Sequence, residues 1–382
     1  MQTGLEVLLA EGLESLRGRR VGLITNHSAI DRHLHSAIDL LDASDGVNLV
    51  ALFGPEHGVR GDAQAGVKVE AATDKHSGLP VYSLYGETQR PTLEMLQGLD
   101  ALLFDIQDIG VRYATYVSTM ANALEAASDA GLPFVVLDRP NPLNGNGIEG
   151  NLLDPAFASF VGVHPIPIRH GMTAGELARL IAAERGWTEP IVVQMQGWRR
   201  EHWFDQTKLP WVQPSPNLPT LDSVTLYSGT CMIEGTNVSE GRGTTRPFEY
   251  VGAPWLDPFE LVDAMEKRGL PGCGYRPAYF TPTFSKHYGA VCGGIQIHVF
   301  DREALRPAEL GIHLLDAIRS LDSQAFAWRQ SSDGGFFVDL LLGSDQPRLM
   351  FDQGASAGEI TATWDDESDR FADRRKPYLL YS

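Results

Sequence analysis

The chain has 382 residues, 43% hydrophobic and 21% charged, the composition of a soluble globular protein with material for a sizeable core. At roughly 150 residues per domain it is long for one domain and fits two or three. A formal net charge of −18 disfavours adhesion to nucleic acid or to an anionic membrane, while leaving room for a local basic pocket that takes an anionic small molecule.

Residues 1–20 read as a short amphipathic helix and lack the basic start, apolar centre and small-residue cleavage site of a secretory signal. The sequence as it stands therefore predicts a cytoplasmic protein; a periplasmic or secreted one requires that a leader has been removed. VGLIT (21–25) is the first predicted strand, followed by a helix within 34–43 and a strand LVALF (49–53). A Gly- and charge-rich loop leads to the strand PVYSLY (80–85). PTLEMLQGL (91–99) predicts a helix with Pro91 at its first position. ALLFDI (101–106) is a nearly continuous apolar run, as a strand covered on both faces requires. Residues 115–131 predict a helix closed by Gly131, and PFVVLD (133–138) another buried strand. Thr173 and Glu176 form a capping-box signature for a helix over 173–186, before a strand at 191–195. Alternating β and α at this spacing predicts an α/β fold with a parallel, doubly wound sheet, whose ligands bind at the carboxyl ends of the strands.

Near 205–225 the chain turns Pro- and Trp-rich and loses periodicity, which places a domain boundary at about 220, giving units 1–220 and 221–382. The second unit reads as a smaller α+β domain, with helices at 257–268 and 307–320, strands near 293–300 and short strands at 336–342. No apolar run reaches the roughly 18 residues that cross a bilayer, so no membrane insertion is expected. Cys231, Cys273 and Cys292 are odd in number and far apart; they suit buried thiols rather than a zinc pair or a disulfide framework.

Polar residues cluster just after the predicted strands. Strand 49–53 runs into Gly54-Pro55-Glu56-His57-Gly58. Strand 101–106 runs into Asp105, Asp108, Gly110, Arg112 and Tyr113, and strand 133–138 into Asp138-Arg139-Pro140-Asn141-Pro142. Each alone suits a turn or a helix cap; together they deliver carboxylates, arginines and amides to one sheet edge. Glu56 lies in a Gly-bounded loop where backbone can approach a ligand, and a carboxyl group in a partly dry cleft can act as a general acid. His57 beside it invites a metal reading with His27, His33, His35 or His76, but neither HxH nor HExxH spacing is present. Gly145-x-Gly147-x-x-Gly150 matches a dinucleotide fingerprint formally, yet no strand directly precedes it and no helix opens within it. The segment 234–248 carries Glu234, Asn237, Glu240, Arg242 and Arg246 among glycines and hydroxyls, the texture of a binding loop. Arg169–Thr173 precedes a helix, and Phe280, Phe284, Lys286, His287 and Tyr288 mix aromatics with cations.

The blocks Gly54-Pro-Glu-His-Gly58, Phe104–Tyr113, Asp138-Arg-Pro-Asn-Pro142, Pro214-Ser-Pro-Asn217 and Glu234–Phe248 together resemble the signature blocks of the NamZ-type exo-β-N-acetylmuramidases. Trp364, Phe371, Arg375 and Tyr378–Tyr381 fit the same family's C-terminal pattern, so the resemblance spans nearly the whole chain. It implies a Rossmann-like first domain without a nucleotide or other cofactor, a smaller second domain, and a cleft between them. It also implies a glycoside hydrolase that releases N-acetylmuramic acid from the non-reducing end of peptidoglycan fragments, with Glu56 as catalytic carboxylate. Such hydrolysis normally employs two carboxyl groups; Asp105, Asp108, Glu149, Glu234 and Glu240 are candidates for the second, unless the substrate's own N-acetyl group attacks. The acidic sugar calls for an arginine clamp, for which Arg112, Arg139 and Arg242 are candidates. His57, Tyr113, Asp138, Asn141, Glu149, Asn217, Glu234 and Asn237 complete the expected substrate-binding set. Two other readings remain open at this stage: a metal-dependent hydrolase built on Asp105, Asp108 and Asp138 with His57, and a muropeptide-binding protein without catalysis.

Overall fold

The computed structural model describes residues 1–12, 14–61, 66, 72–331 and 334–382. Residues 62–65 and 67–71 of the Gly- and charge-rich loop before residue 80 lie outside them.

Strands β1 (Arg20–Thr25), β2 (Asn48–Gly54), β3 (Ala72–Thr73), β4 (Pro80–Ser83), β5 (Ala101–Asp105) and β6 (Phe134–Leu137) build one sheet. The chain then leaves it for an antiparallel ribbon of β7 (Glu149–Leu152) and β8 (Pro167–Arg169), and returns as β9 (Ile191–Val193). The sheet order is β3-β4-β2-β1-β5-β6-β9, parallel throughout except for the two-residue edge strand β3. From β1 the chain winds outward through β2 to β4; from β5 it winds the other way through β6 to β9. This is the doubly wound order, and its switch point lies between β1 and β5.

Side-chain alternation covers both faces. Val21, Leu23, Leu103, Val135 and Leu137 pack under helices α1 (Gly4–Glu11) and α2 (Ala37–Asp42). The short helix α3 (Leu93–Leu96) precedes β5. Ile24, Leu102, Phe104 and Val136 face the opposite side, under α4 (Thr115–Asp129) and α5 (Ala174–Arg185). The capping box of α5 forms as the sequence predicts, and Gly186 closes the helix at φ 70°. The helix expected from Pro91 starts later, because Thr92 accepts from the Met95 N–H and takes the N-cap position.

The remainder is built on α6 (Leu221–Thr230) and a three-stranded antiparallel sheet of β10 (Tyr250–Ala253), β11 (Cys273–Phe280) and β12 (Cys292–Val299), covered by α7 (Pro258–Glu266) and α8 (Pro307–Leu321). The short strands expected at 336–342 are instead a helix, α9 (Phe337–Leu342). Val338, Leu341 and Leu342 fall on one helical face, and Gly343 caps the end in the left-handed region. Three further helices follow, α10 (Gln346–Asp352), α11 (Ala357–Thr361) and α12 (Asp365–Arg375). Among the described residues, no helix is long and apolar enough to cross a membrane. All three cysteines are free; Cys231 and Cys292 are buried and Cys273 is half-buried.

The two sheets are joined by buried polar staples. Arg112 is 1% exposed and donates to four carbonyls, Asn151 (2.7 Å) and Ile166 (2.8 Å) on one side and Leu341 (3.1 Å) and Leu342 (2.7 Å) on the other. Glu149 accepts from Arg169 at 2.6 Å and from the Ala308 N–H, at the start of α8, at 3.3 Å. The C-terminal segment then returns to the first sheet. Phe371 enters its core, the Leu380 N–H donates to Glu176 at 2.8 Å, and the Tyr381 hydroxyl donates to Asp138 at 2.6 Å. A division into 1–220 and 221–382 does not capture this return.

Arg112→Met is expected to lower the unfolding free energy by about 3 kcal/mol, because charged hydrogen bonds are lost and four buried carbonyls are left without a donor. Urea unfolding at neutral pH measures it.

Candidate active site

The carboxyl ends of the strands open into a cleft of about 850 Å³. One wall carries Glu56, Tyr85, Tyr113 and Thr115, the other Glu234, Glu240, Arg242, Lys286 and Arg329, with Asn217 between them in sequence. A recess of about 60 Å³ runs deeper beside Glu56 and His57, lined by Tyr116, Pro214 and Tyr227.

Glu56 reaches the cleft through the turn that follows β2. His57 and Gly58 both stand at φ 74°, the left-handed backbone that reverses the chain within two residues. Thr115, the first residue of α4, donates its hydroxyl to Glu56 Oε2 at 2.8 Å, and the Gly66 N–H donates to Oε1 at 2.9 Å. The Tyr85 hydroxyl also bonds this carboxyl; burial first, and then the Glu56 charge, push the phenol well above its usual range. These described partners of Glu56 are all neutral.

The opposite wall is ionic. Arg242 Nη2 donates to Glu234 Oε1 at 2.8 Å, Arg242 Nε stands 3.4 Å from Glu240 Oε1, and the guanidinium lies 5.1 Å above the Phe248 ring. Lys286 Nζ is 2.8 Å from Glu240 Oε2 and bonds the carbonyls of Ile233 (2.9 Å) and Thr236 (3.1 Å). Gly243 fixes this wall: at φ 80° its missing Cβ would fall 2.5 Å from the Phe284 carbonyl oxygen, so only glycine lets the loop dock on the segment that presents Lys286. Asn217 is a lining residue of the cleft, 4% exposed, and its buried Nδ2 donor has no partner among the described residues.

Several expected site residues lie elsewhere. Asp105 is fully buried and both of its oxygens are taken by Arg139, Nη2 at 3.0 Å, away from the lining of the cleft. Asp108 turns the chain for Gly110, whose N–H it accepts at 2.8 Å, and does not line the cleft. Gly110 is obligatory there, since at φ 77° a Cβ would fall 2.3 Å from Asn141 Oδ1. Asn141 bonds the Leu143 N–H and the Met172 carbonyl, both at 3.0 Å. Asp138 accepts from Thr173, Gly175 and Tyr381, and burial pushes its carboxyl up to about 7. Asn237 bonds the backbone of Ala325 and Ala327. Arg112 and Glu149 are the staples described above. Arg169 and His170 are equally internal, and His287 bonds the Asn237 carbonyl at 2.7 Å. The metal reading loses its donors this way: Asp105, Asp108 and Asp138 are each engaged by a different internal partner.

Residues 21–222 match the family model described as exo-β-N-acetylmuramidase NamZ, N-terminal, and residues 225–381 the corresponding C-terminal model. The chain belongs to the NamZ family. The peptidoglycan β-N-acetylmuramidase NamZ of Bacillus subtilis (strain 168) is 48% identical over 100% of this chain and 91% of that protein. Two crystal structures of DUF1343 family proteins from Bacteroides fragilis NCTC 9343 are similar over 100% of this chain and 99% of theirs, at 38% identity with TM-score 0.91 and at 32% identity with TM-score 0.79.

In this NamZ family chain the cleft also holds residues that sequence reasoning passed over: Thr115 and Tyr85, which hold Glu56, and Arg329 at the far end of the second wall. Thr115 carried a signal, for it opens a helix directly after a polar strand end. Arg329 carried none.

Asp105→Asn is expected to cost about 3 kcal/mol of stability by leaving Arg139 buried and unpaired, while turnover per folded molecule stays within a few-fold of wild type; urea titration and active-enzyme counting separate the two. Asp108 supplies a pH test. Burial raises its carboxyl to about 6, so the folded state holds its proton above the unfolded value near 3.8 and loses that advantage as pH rises through 6. His170, 3.9 Å away, is held down to about 3 by burial and neighbouring arginines and is uncharged across this window. Asp108→Asn should therefore gain stability relative to wild type between pH 4 and pH 7. A difference in urea midpoint that is constant with pH contradicts this.

Proposed function

We propose that the chain is an exo-acting β-N-acetylmuramidase that releases N-acetylmuramic acid from the non-reducing end of peptidoglycan fragments by hydrolysing the β-1,4 bond to N-acetylglucosamine, with Glu56 as its acid. Units 1–220 and 221–382 supply the two walls. The observation that carries the assignment is the contrast between carboxyl groups in one cleft: Glu234 and Glu240 are paired with cations, whereas the described partners of Glu56 are neutral.

The reaction follows from that contrast. Protonated Glu56 gives its proton to the glycosidic oxygen as the C1–O bond breaks, and the N-acetylglucosamine end leaves as an alcohol. Positive charge gathers at C1 and the ring oxygen. Glu240, flanked by Arg242 and Lys286, opposes that charge; a carboxylate gripped by two cations is a poor nucleophile and a good electrostatic partner. Water adds at C1 and returns a proton to Glu56. Asn217 lines the cleft and its buried Nδ2 has no partner among the described residues, which suits it to the acetamide carbonyl of the sugar. The Glu56 loop, Thr115 and Tyr85 hold the acid in place.

Wild type should release free N-acetylmuramic acid from the disaccharide N-acetylmuramyl-N-acetylglucosamine, and Glu56→Gln should lower kcat by about 10³-fold. A folded wild type that binds the disaccharide without turnover points to the sugar-binding reading, and full activity in Glu56→Gln removes Glu56 from the mechanism.

A further inference from the structure

N-acetylmuramic acid differs from N-acetylglucosamine by a lactyl ether that ends in a carboxylate. A site that prefers the first sugar must meet that charge. The three arginines that the sequence offers for this are already paired: Arg112 with four carbonyls and Arg139 with Asp105 away from the cleft, and Arg242 with Glu234 and Glu240 in its wall. Lys286 donates to the carbonyls of Ile233 and Thr236 and is ion-paired with Glu240, its Nζ 2.8 Å from Oε2.

Among the described residues, one cation of the cleft wall is left. Arg329 is exposed to the cleft, and its guanidinium lies 5.0 Å over the ring of Phe337, which also lines the cleft. That contact holds the guanidinium over the ring, and its N–H fork matches a carboxylate in two-point contact. Among the described residues no carboxylate pairs with it. The cleft lining holds Glu56, Glu234 and Glu240 against Arg242, Lys286 and Arg329. Without Arg329 the charged lining is negative whenever Glu56 is ionised, and would repel an acidic sugar in a protein that already carries −18.

We infer that Arg329 binds the lactyl carboxylate of the substrate and sets the preference for N-acetylmuramic acid over neutral amino sugars; this rests on the muramidase reading above. Phe337 is the positioning residue that presents it.

The test uses para-nitrophenyl β-N-acetylmuramide and the methyl ester of its lactyl group, which keeps the shape and removes the charge. Wild type should favour the acid over the ester in kcat/KM. Arg329→Gln should reduce that acid-to-ester ratio by roughly 10–100-fold, the worth of a charged hydrogen bond. Arg329→Lys, which restores a point charge without the fork, should fall between the two. A ratio that Arg329→Gln leaves unchanged overturns the assignment. Turnover of neither compound by folded wild type overturns the muramidase reading instead. Arg329 is then judged by calorimetry with free N-acetylmuramic acid: at least tenfold weaker binding by Arg329→Gln supports it, and equal affinities overturn it.

Discussion

The buried pair between Asp105 and Arg139 sits where the sheet reverses its winding. Asp105 ends β5, Arg139 follows β6, and Arg139 also donates to the Ile30 carbonyl in the chain that follows β1, at 3.0 Å. Three connections at the carboxyl edge are thereby tied to one guanidinium. Such a pair contributes little net stability, because desolvation offsets most of the attraction, but breaking it strands a charge. Its role is specificity of geometry: it fixes the sheet edge from which the Glu56 loop and the start of α4 project. The cleft inherits its first wall from that constraint.

The second wall depends on a different device. Its loop, 234–246, is stitched by Glu234, Glu240, Arg242 and Lys286, which satisfy one another and leave little net charge. Arg112 and the Glu149–Arg169 pair then hold this wall to the first through backbone carbonyls and the start of α8. The carbonyl acceptors of Arg112 do not titrate, whereas Glu149 does, and burial raises its carboxyl above the usual range. The return of the C-terminal segment to Asp138 and Glu176 closes the same joint from behind.

The sheet was legible in the sequence because its central strands are apolar runs between turn signals, and α1, α2 and α5 among the covering helices carry side-chain N-caps. The helix at 337–342 was not, because six apolar-rich residues satisfy both periods and only the Gly343 cap and the tertiary contacts decide. Glu56, Glu234, Glu240, Arg242 and Asn217 were found, and the cleft contains them all. Asp105, Asp108, Asp138, Asn141, Arg112 and Asn237 were drawn in by the same rule, that polar groups at strand ends serve ligands. The rule fails for them because tightly wound strand ends also bury backbone polar groups, and these side chains satisfy them. Arg329 escaped because a single arginine on a loop has no pattern; its meaning comes from the ring beneath it and the commitments of its neighbours.

That contrast separates architecture from chemistry in this cleft. In the block 138–142 every charged or amide side chain points inward to a named partner, and the block's length as a motif reflects how many such bonds must form together. Binding and catalysis need the opposite, groups that the fold orients but does not consume. Thr115 and Gly66 orient Glu56 through its two oxygens, and Phe337 orients Arg329 through its face. Asn217 is buried with its donor unused. An acceptor on a bound sugar satisfies that donor, so the recognition of a polar sugar draws on a group that the fold orients without consuming it.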